Sequence, residues 1–124
     1  GRRAILNFGH TVGHAIEQCQ RYSGLLHGES VSVGMVVETQ IAEDLGFAEV
    51  GTAEQIESRL VAQGLPVSFP NDVSLENLLL AMSRDKKSDG NGLAFSFVST
   101  IGECKLTAGV PVNDVENALR KRWP

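Results

Sequence analysis

Apolar residues in the first half of the chain recur at helical spacing. In the first such segment they fall at steps of three or four residues from Val12 to Cys19, which is typical of a helix that buries one face. The segment begins at about His10, and we expect it to end at Gly24, because glycine accepts the left-handed conformation common after a helix. The other face carries polar residues at the same spacing: His10, His14, Glu17 and Arg21.

Three further helices are predicted between His27 and about residue 83. The second begins at His27 and stops at Gly46, and its first turn contains an acidic residue, which suits the positive end of a helix dipole. The third covers residues 50–63, with a glycine and a proline blocking its continuation. The fourth covers about residues 75–83 and follows Ser74, whose hydroxyl is a typical N-cap.

The hydrophobic period then changes from that of a helix to that of a strand. Leu93, Phe95 and Phe97 alternate with small residues, and residues 104–107 can pair back after a turn, which predicts one hairpin with the phenylalanines in the core. Asn113, with a glutamate three residues later, predicts a capping box and a last helix. The chain is therefore expected to be mainly α, a multi-helix domain with one small β-hairpin that takes in residues 1–124.

Composition narrows the class of protein. The chain has 15 acidic and 11 basic residues, and the basic ones are scattered, which argues against nucleic-acid binding. No apolar run approaches the roughly 20 residues that span a bilayer, so we expect no membrane partner. Cys19 and Cys104 form no CxxC pair, which favours reduced thiols in a cytoplasmic protein. Because the chain opens on Gly-Arg-Arg rather than methionine, we expect it to be a fragment of a longer protein.

All three histidines lie close together in the sequence, at His10, His14 and His27. The spacing of the first two points both imidazoles at one centre, as in helical zinc sites, and glycines and carboxylates flank them. Histidines satisfied by their neighbours are the alternative. Catalytic zinc usually has three protein ligands, so either all three histidines bind, or Glu17 joins them, or the third ligand lies elsewhere.

A pair of lysines is the second candidate feature. Lys86 and Lys87 follow the fourth predicted helix and precede a polar turn. They can neutralise an anionic substrate, although a solvated basic pair at the negative end of a helix dipole has the same pattern.

Two runs of sequence resemble a known family. Residues 3–17 hold R-x-x-LNFGHTxGHAIE, and residues 26–35 hold LHGExVxxGM. Both are similar to the signature of 3-dehydroquinate synthase, in the sugar phosphate cyclase superfamily, and three later landmarks follow in the family's order: GLP at 64–66, DKK at 85–87 and IG at 101–102. The resemblance implies the C-terminal helical domain of a lyase of the shikimate pathway, in aromatic amino acid biosynthesis.

Such an enzyme converts 3-deoxy-D-arabino-heptulosonate 7-phosphate, a phosphorylated sugar acid, to 3-dehydroquinate and phosphate, with NAD and a divalent metal, Zn2+ or Co2+. The resemblance implies that His10 and His27 bind the metal and that His14 is a catalytic histidine near the leaving phosphate, which replaces the simpler pairing of His10 with His14. Glu29 is then expected to orient His27. The residues expected to bind the substrate are Arg3, Asn7, Lys86 and Lys87.

Two parts of the family's site are expected to lie upstream of this sequence: a third metal ligand, a glutamate, and the domain that holds most of the NAD. The residues that contact NAD are therefore unknown. We expect the isolated chain to be inactive and to bind zinc weakly, and a homodimer is possible. The alternatives are a non-catalytic helical module or remnant, and a fragment of a related sugar phosphate cyclase.

Overall fold

The computed structural model describes residues 7–84, 92–100 and 103–124. Within those ranges the chain forms five helices and one antiparallel hairpin, which confirms the prediction of a mainly α fold with a single small hairpin. In chain order the elements are α1 His10–Cys19, α2 His27–Asp44, α3 Thr52–Ala62, α4 Leu75–Arg84, β1 Leu93–Thr100, β2 Glu103–Val110 and α5 Val112–Arg122. None of these helices is both long and apolar enough to cross a membrane.

Helix α2 is the centre of the core. Val33, Val37 and Ile41, which recur along one side of this helix, are at most 1% exposed, and Leu45, just after its end, is partly buried. Residues on its other sides, such as Val31 and Val36, are buried as well, because α1, α3, α5 and β1 all pack on this helix. A helix surrounded in this way can fix the positions of its neighbours relative to one another.

The hairpin closes the fold beside α1. Strands β1 and β2 pair from Leu93 opposite Val110 to Thr100 opposite Glu103, so β2 is longer than the predicted residues 104–107. Phe95 and its neighbour two residues on are each 2% exposed, which confirms their place in the core. The side-chain hydroxyl of Thr11 donates to the backbone carbonyl of Ala94 at 3.0 Å, which ties α1 to the hairpin.

Glycine marks the ends of α2 and α3 as predicted. Gly46 and Gly64 have φ of 82° and 78°, and in each case the N–H of the next residue donates back into the last helical turn. The predicted end of α1 at Gly24 is wrong. This helix ends at Cys19, because Arg21 takes the left-handed position with φ of 53°, and the N–H of Tyr22 donates to the Glu17 carbonyl at 2.9 Å.

Of the two N-termini predicted for the last two helices, one is confirmed and the other is wrong. Ser74 caps α4 as predicted, since its hydroxyl accepts the N–H of Asn77 at 3.1 Å. The predicted capping box at Asn113 is wrong. Helix α5 starts at Val112, directly after Pro111, whose ring fixes φ near the value a helix entry needs and removes the N–H that a continuing strand would use.

Candidate metal and substrate site

The site is built where α1 lies antiparallel on α2. Gly9, before α1, approaches Val31 and Met35, whereas Gly13, one turn later, approaches Ser30 and Val31. From one turn of α1 to the next, the residues that it contacts on α2 therefore lie closer to the start of α2. The absence of side chains on these glycines lets the two backbones come close, and residues on the later turns of α1 face the start of α2.

This packing brings His10 and His27 together, although they are 17 positions apart in the sequence. Their ring centroids are 5.3 Å apart, and the ring planes are inclined by 59°. His10 is half-buried and His27 is exposed, so the pair lies at the surface of the described part of the chain. The structure thus pairs the two histidines to which the resemblance assigned the metal.

Each of these two imidazoles has its Nδ1 atom against an oxygen acceptor. For His10 the acceptor is the backbone carbonyl of Phe8, at 3.1 Å. For His27 it is the carboxylate of Glu17, whose two oxygens lie 3.1 and 3.2 Å away. A proton on Nδ1 satisfies these acceptors, and this leaves the Nε2 lone pair of both rings available to a metal.

The separation of the rings also fits a shared ion. Two imidazoles that bind one tetrahedral ion through nitrogens at ~2 Å have ring centroids roughly 5 Å apart, and the observed separation is 5.3 Å. Imidazole nitrogen suits zinc and its neighbours among the divalent transition metals. His10 and His27 therefore fit Zn2+ or Co2+ in donor type, protonation and spacing.

Glu17 is the carboxylate that contacts His27. It is only 8% exposed, and it reaches His27 from α1, one helix away. The resemblance implies that Glu29 orients His27. One oxygen of Glu29 instead accepts the backbone N–H of Leu26 at 2.8 Å, which satisfies a free donor at the start of α2. The contact between Glu17 and His27 follows from the antiparallel packing of α1 on α2.

His14 is close to the same Glu17 carboxylate that contacts His27. Its Nδ1 atom is 3.8 Å from Glu17, and its Nε2 atom is 3.4 Å from the amide nitrogen of Gln18. Its ring also meets the edge of Tyr22, with centroids 6.3 Å apart. Glu17 therefore stands between His14 and His27, which places the histidine expected to contact substrate beside the pair expected to hold metal.

The other expected ligands fall partly outside the described residues. Asn7 is exposed, just before α1. Arg3, Lys86 and Lys87 belong to segments that the structure does not describe. Across the described ranges, no group of three or more histidine, cysteine, aspartate or glutamate side chains is arranged to hold a metal, so a third ligand to His10 and His27 is not found there.

One residue of importance to the site was missed at the level of sequence. Glu38 is fully buried on α2, and its two carboxyl oxygens accept the backbone N–H groups of Gly9 at 3.0 Å and Val12 at 2.9 Å. Burial raises the pKa of Glu38 to about 8, although these backbone donors act in the opposite direction. A carboxylate within the apolar stretch VVETQIA was the available signal.

Two solved structures have a fold similar to that of this chain. A 2-deoxy-scyllo-inosose synthase complexed with carbaglucose-6-phosphate, NAD+ and Co2+ matches 93% of this chain and 32% of its own, with a TM-score of 0.74 at 21% identity. The 2-epi-5-epi-valiolone synthase from Streptomyces hygroscopicus, with NAD+ and Zn2+ bound, matches 92% and 31%, with a TM-score of 0.77 at 23% identity. The fold is that of the sugar phosphate cyclases.

Sequence comparison narrows the class to one family. The family described as 3-dehydroquinate synthase C-terminal matches residues 1–88. The 3-dehydroquinate synthase of Francisella tularensis is 44% identical over 106 residues, and that of Thermodesulfovibrio yellowstonii is 37% identical over 119. The chain belongs to the 3-dehydroquinate synthase family. The matched parts are 86% and 96% of this chain but only 30% and 33% of those relatives.

Proposed function

We propose that this chain supplies the metal- and substrate-binding part of a 3-dehydroquinate synthase. The whole enzyme converts 3-deoxy-D-arabino-heptulosonate 7-phosphate to 3-dehydroquinate and phosphate, a carbon–oxygen lyase reaction of the shikimate pathway. NAD is held mainly by a domain outside this chain. Membership of the family supports the reaction, and the NAD+ and metal of the similarly folded cyclases support the cofactors. We place the enzyme in the cytoplasm, in keeping with the unpaired thiols of Cys19 and Cys104.

The observation that carries the proposal is the geometry of His10 and His27. Two imidazoles with centroids 5.3 Å apart, each with Nδ1 held by an oxygen acceptor, are prepared to give Nε2 to one ion. When bound, Zn2+ or Co2+ supplies a Lewis acid that lowers the pKa of a substrate hydroxyl before its oxidation. In this proposal, His10 and His27 hold the ion, and the Glu17 carboxylate keeps His27 in the correct tautomer.

The remaining residues act on the substrate. His14, beside Glu17, contacts the substrate near the leaving phosphate and exchanges a proton there. Asn7, which is exposed just before α1, binds a polar group of the substrate. Arg3 and one or both of Lys86 and Lys87 neutralise its carboxylate and phosphate, a task for which basic side chains are suited.

The test uses a hybrid enzyme, in which the part of this chain that aligns with the Francisella tularensis synthase over 106 residues replaces the corresponding segment of that enzyme. We expect the hybrid to release phosphate from the heptulosonate substrate, and His10→Ala or His27→Ala to abolish metal-dependent turnover and metal content together. Gln55→Ala, at an exposed position on α3, is the matched control and should change neither. A fully active, metal-loaded His10→Ala hybrid would remove the site assignment.

The isolated chain gives the second measurement. The 124-residue protein should show no synthase activity and should bind zinc weakly, because two imidazoles leave a tetrahedral ion half-coordinated. Detectable turnover by the purified chain, without any added domain, would contradict the division of the site that we propose.

A further inference from the structure

We infer that Glu38 is a positioning residue for the metal ligand His10, an inference that rests on the proposed function. Glu38 touches neither histidine in the described contacts. Its carboxyl group holds the first turn of α1, which carries His10, against α2, which carries His27. The distance between the two ligands is therefore set partly by a buried carboxyl group that contacts the backbone of that turn.

The N-terminus of α1 has no cap from its own side chains. Its N-cap residue is Gly9, with φ of 81°, which has no side chain to accept the free N–H groups of the first turn. That turn contains no acidic residue of its own. Glu38 replaces the missing cap from another helix, since one oxygen accepts the Gly9 N–H and the other accepts the Val12 N–H.

His10 belongs to the turn that these two hydrogen bonds hold. Its backbone lies between Gly9 and Val12, so two hydrogen bonds to Glu38 fix the orientation of the turn from which the imidazole projects. The imidazole is in turn held to the carbonyl of Phe8, which precedes the same turn. A rotation of this turn therefore moves the ring as a unit with its hydrogen-bond partner.

Glu38 and His27 both belong to α2. They are 11 positions apart, which is about three turns, so they lie along the same side of the helix. Helix α2 thus carries the metal ligand His27, and through Glu38 it also holds the start of α1, which carries His10. Loss of the Glu38 contacts should loosen His10 while His27, which Glu17 orients, stays in place.

The same helix offers a matched control. Glu43, also on α2, caps α3 in the same manner, because its two oxygens accept the N–H groups of Gly51 at 3.2 Å and Ala53 at 2.6 Å. The N-cap residue of α3 is likewise a glycine in the left-handed conformation. Helix α3 carries none of the three histidines. Glu38 and Glu43 therefore differ in whether the capped helix bears a metal ligand.

The experiment compares Glu38→Gln and Glu38→Ala with Glu43→Gln and Glu43→Ala in the 124-residue chain. The probe is Co2+ alone, titrated well below the unfolding temperature, with binding followed by the paramagnetic effect on the imidazole 15N–1H signals of each histidine. Glutamine keeps the length of the side chain and one acceptor, so it provides a folded variant if alanine does not. Far-UV circular dichroism verifies that each variant is folded.

We expect the Glu38 variants to lose about tenfold in Co2+ affinity, the scale of other orienting contacts, and to change the His10 signals while those of His27 keep their shifts. The Glu43 variants should lose stability but stay within about twofold of the original Co2+ affinity. Unchanged affinity in folded Glu38→Gln, or an equal loss in Glu43→Gln, overturns the inference. Because two ligands bind the ion weakly, the Co2+ titration is carried to saturating concentration. If the unaltered chain then shows no Co2+ effect at His10 and His27, these two residues do not share an ion and the proposed function fails as well, a result distinct from either of these.

Discussion

Gly34 on α2 lies directly against the backbone carbonyl of Gly9, so that a Cβ at position 34 would overlap that oxygen and stand 2.9 Å from the Gly13 nitrogen. Both opposing atoms are backbone, which cannot move aside as a flexible side chain can. We therefore predict that Gly34→Ala separates α1 from α2 and lowers the free energy of unfolding by about 2 to 3 kcal/mol, as for an overpacked core. Denaturant unfolding, followed by the fluorescence of the single tryptophan, Trp123, measures the change.

Gly28 provides the control for this prediction. It lies near the start of α2, and a Cβ built there meets nothing within 4 Å. Gly28→Ala should therefore be neutral or stabilise the chain by up to ~1 kcal/mol, the gain in helix propensity. If Gly34→Ala unfolds at the same denaturant concentration as Gly28→Ala, the close approach of the two helices is not required for the fold.

Substitutions of Glu17 and Glu29 should have different effects on metal binding. Because Glu17 holds Nδ1 of His27, Glu17→Gln should weaken Co2+ binding about tenfold. Glu29→Gln removes a contact to the Leu26 N–H at the helix start, so it should cost about 0.5 to 1 kcal/mol of stability and leave Co2+ affinity unchanged. Co2+ titration and denaturant unfolding of both variants measure the two effects. A tenfold loss in Glu29→Gln with none in Glu17→Gln would restore the interpretation made from sequence.

The elements of this fold could largely be predicted from the sequence because the local signals are strong. Gly46 and Gly64 take the left-handed positions that the pattern assigned to them, and Ser74 caps its helix as expected. The end of α1 could not be predicted from glycine, since an arginine, Arg21, takes the left-handed conformation there. Local rules fail where a residue adopts a conformation that its type rarely does.

The site was predictable in its residue types but not in its contacts. The motif identified His10 and His27 as a pair, and the structure places their rings side by side. The partners of these residues depend on which turn of α1 faces which turn of α2, and no single segment contains that information. Glu17 reaches His27 across 10 positions and Glu38 reaches Gly9 across 29, so both contacts follow from tertiary packing.

The buried carboxyl group of Glu38 predicts a particular dependence of stability on pH. Its pKa is about 8 in the folded chain and 4.5 in the absence of burial, so the folded state retains a proton that the unfolded state releases. The contribution to stability is fully present below pH 4.5 and is lost as the pH rises to 8, with a slope of at most about 1.4 kcal/mol per pH unit. Glu38→Gln has no carboxyl group to titrate at this position. Subtracting its unfolding free energy from that of the unaltered chain therefore cancels the pH dependence that the other titratable groups contribute.

The measurement is therefore the unfolding free energy of the unaltered chain minus that of Glu38→Gln, from pH 4 to pH 9. We expect the difference to fall with rising pH between 4.5 and 8 and to be level outside that window. A difference that rises with pH would mean that the Gly9 and Val12 N–H groups outweigh burial and hold Glu38 ionised in the folded chain.

Substitution of His14 should lower catalysis without loss of the metal ion. It stands beside Glu17 at 3.8 Å, whereas the paired rings are those of His10 and His27. In the hybrid enzyme, we predict that His14→Ala lowers kcat at least about 100-fold, the scale of a lost proton-transfer group, while the bound Zn2+ or Co2+ stays at one ion per chain. His10→Ala, by contrast, should lose the ion and turnover together. Metal analysis of the purified hybrids, alongside steady-state phosphate release, measures both quantities. Loss of the ion from His14→Ala to the same extent as from His10→Ala would mean that His14 is a metal ligand, as the four-residue spacing of the two histidines along α1 allows.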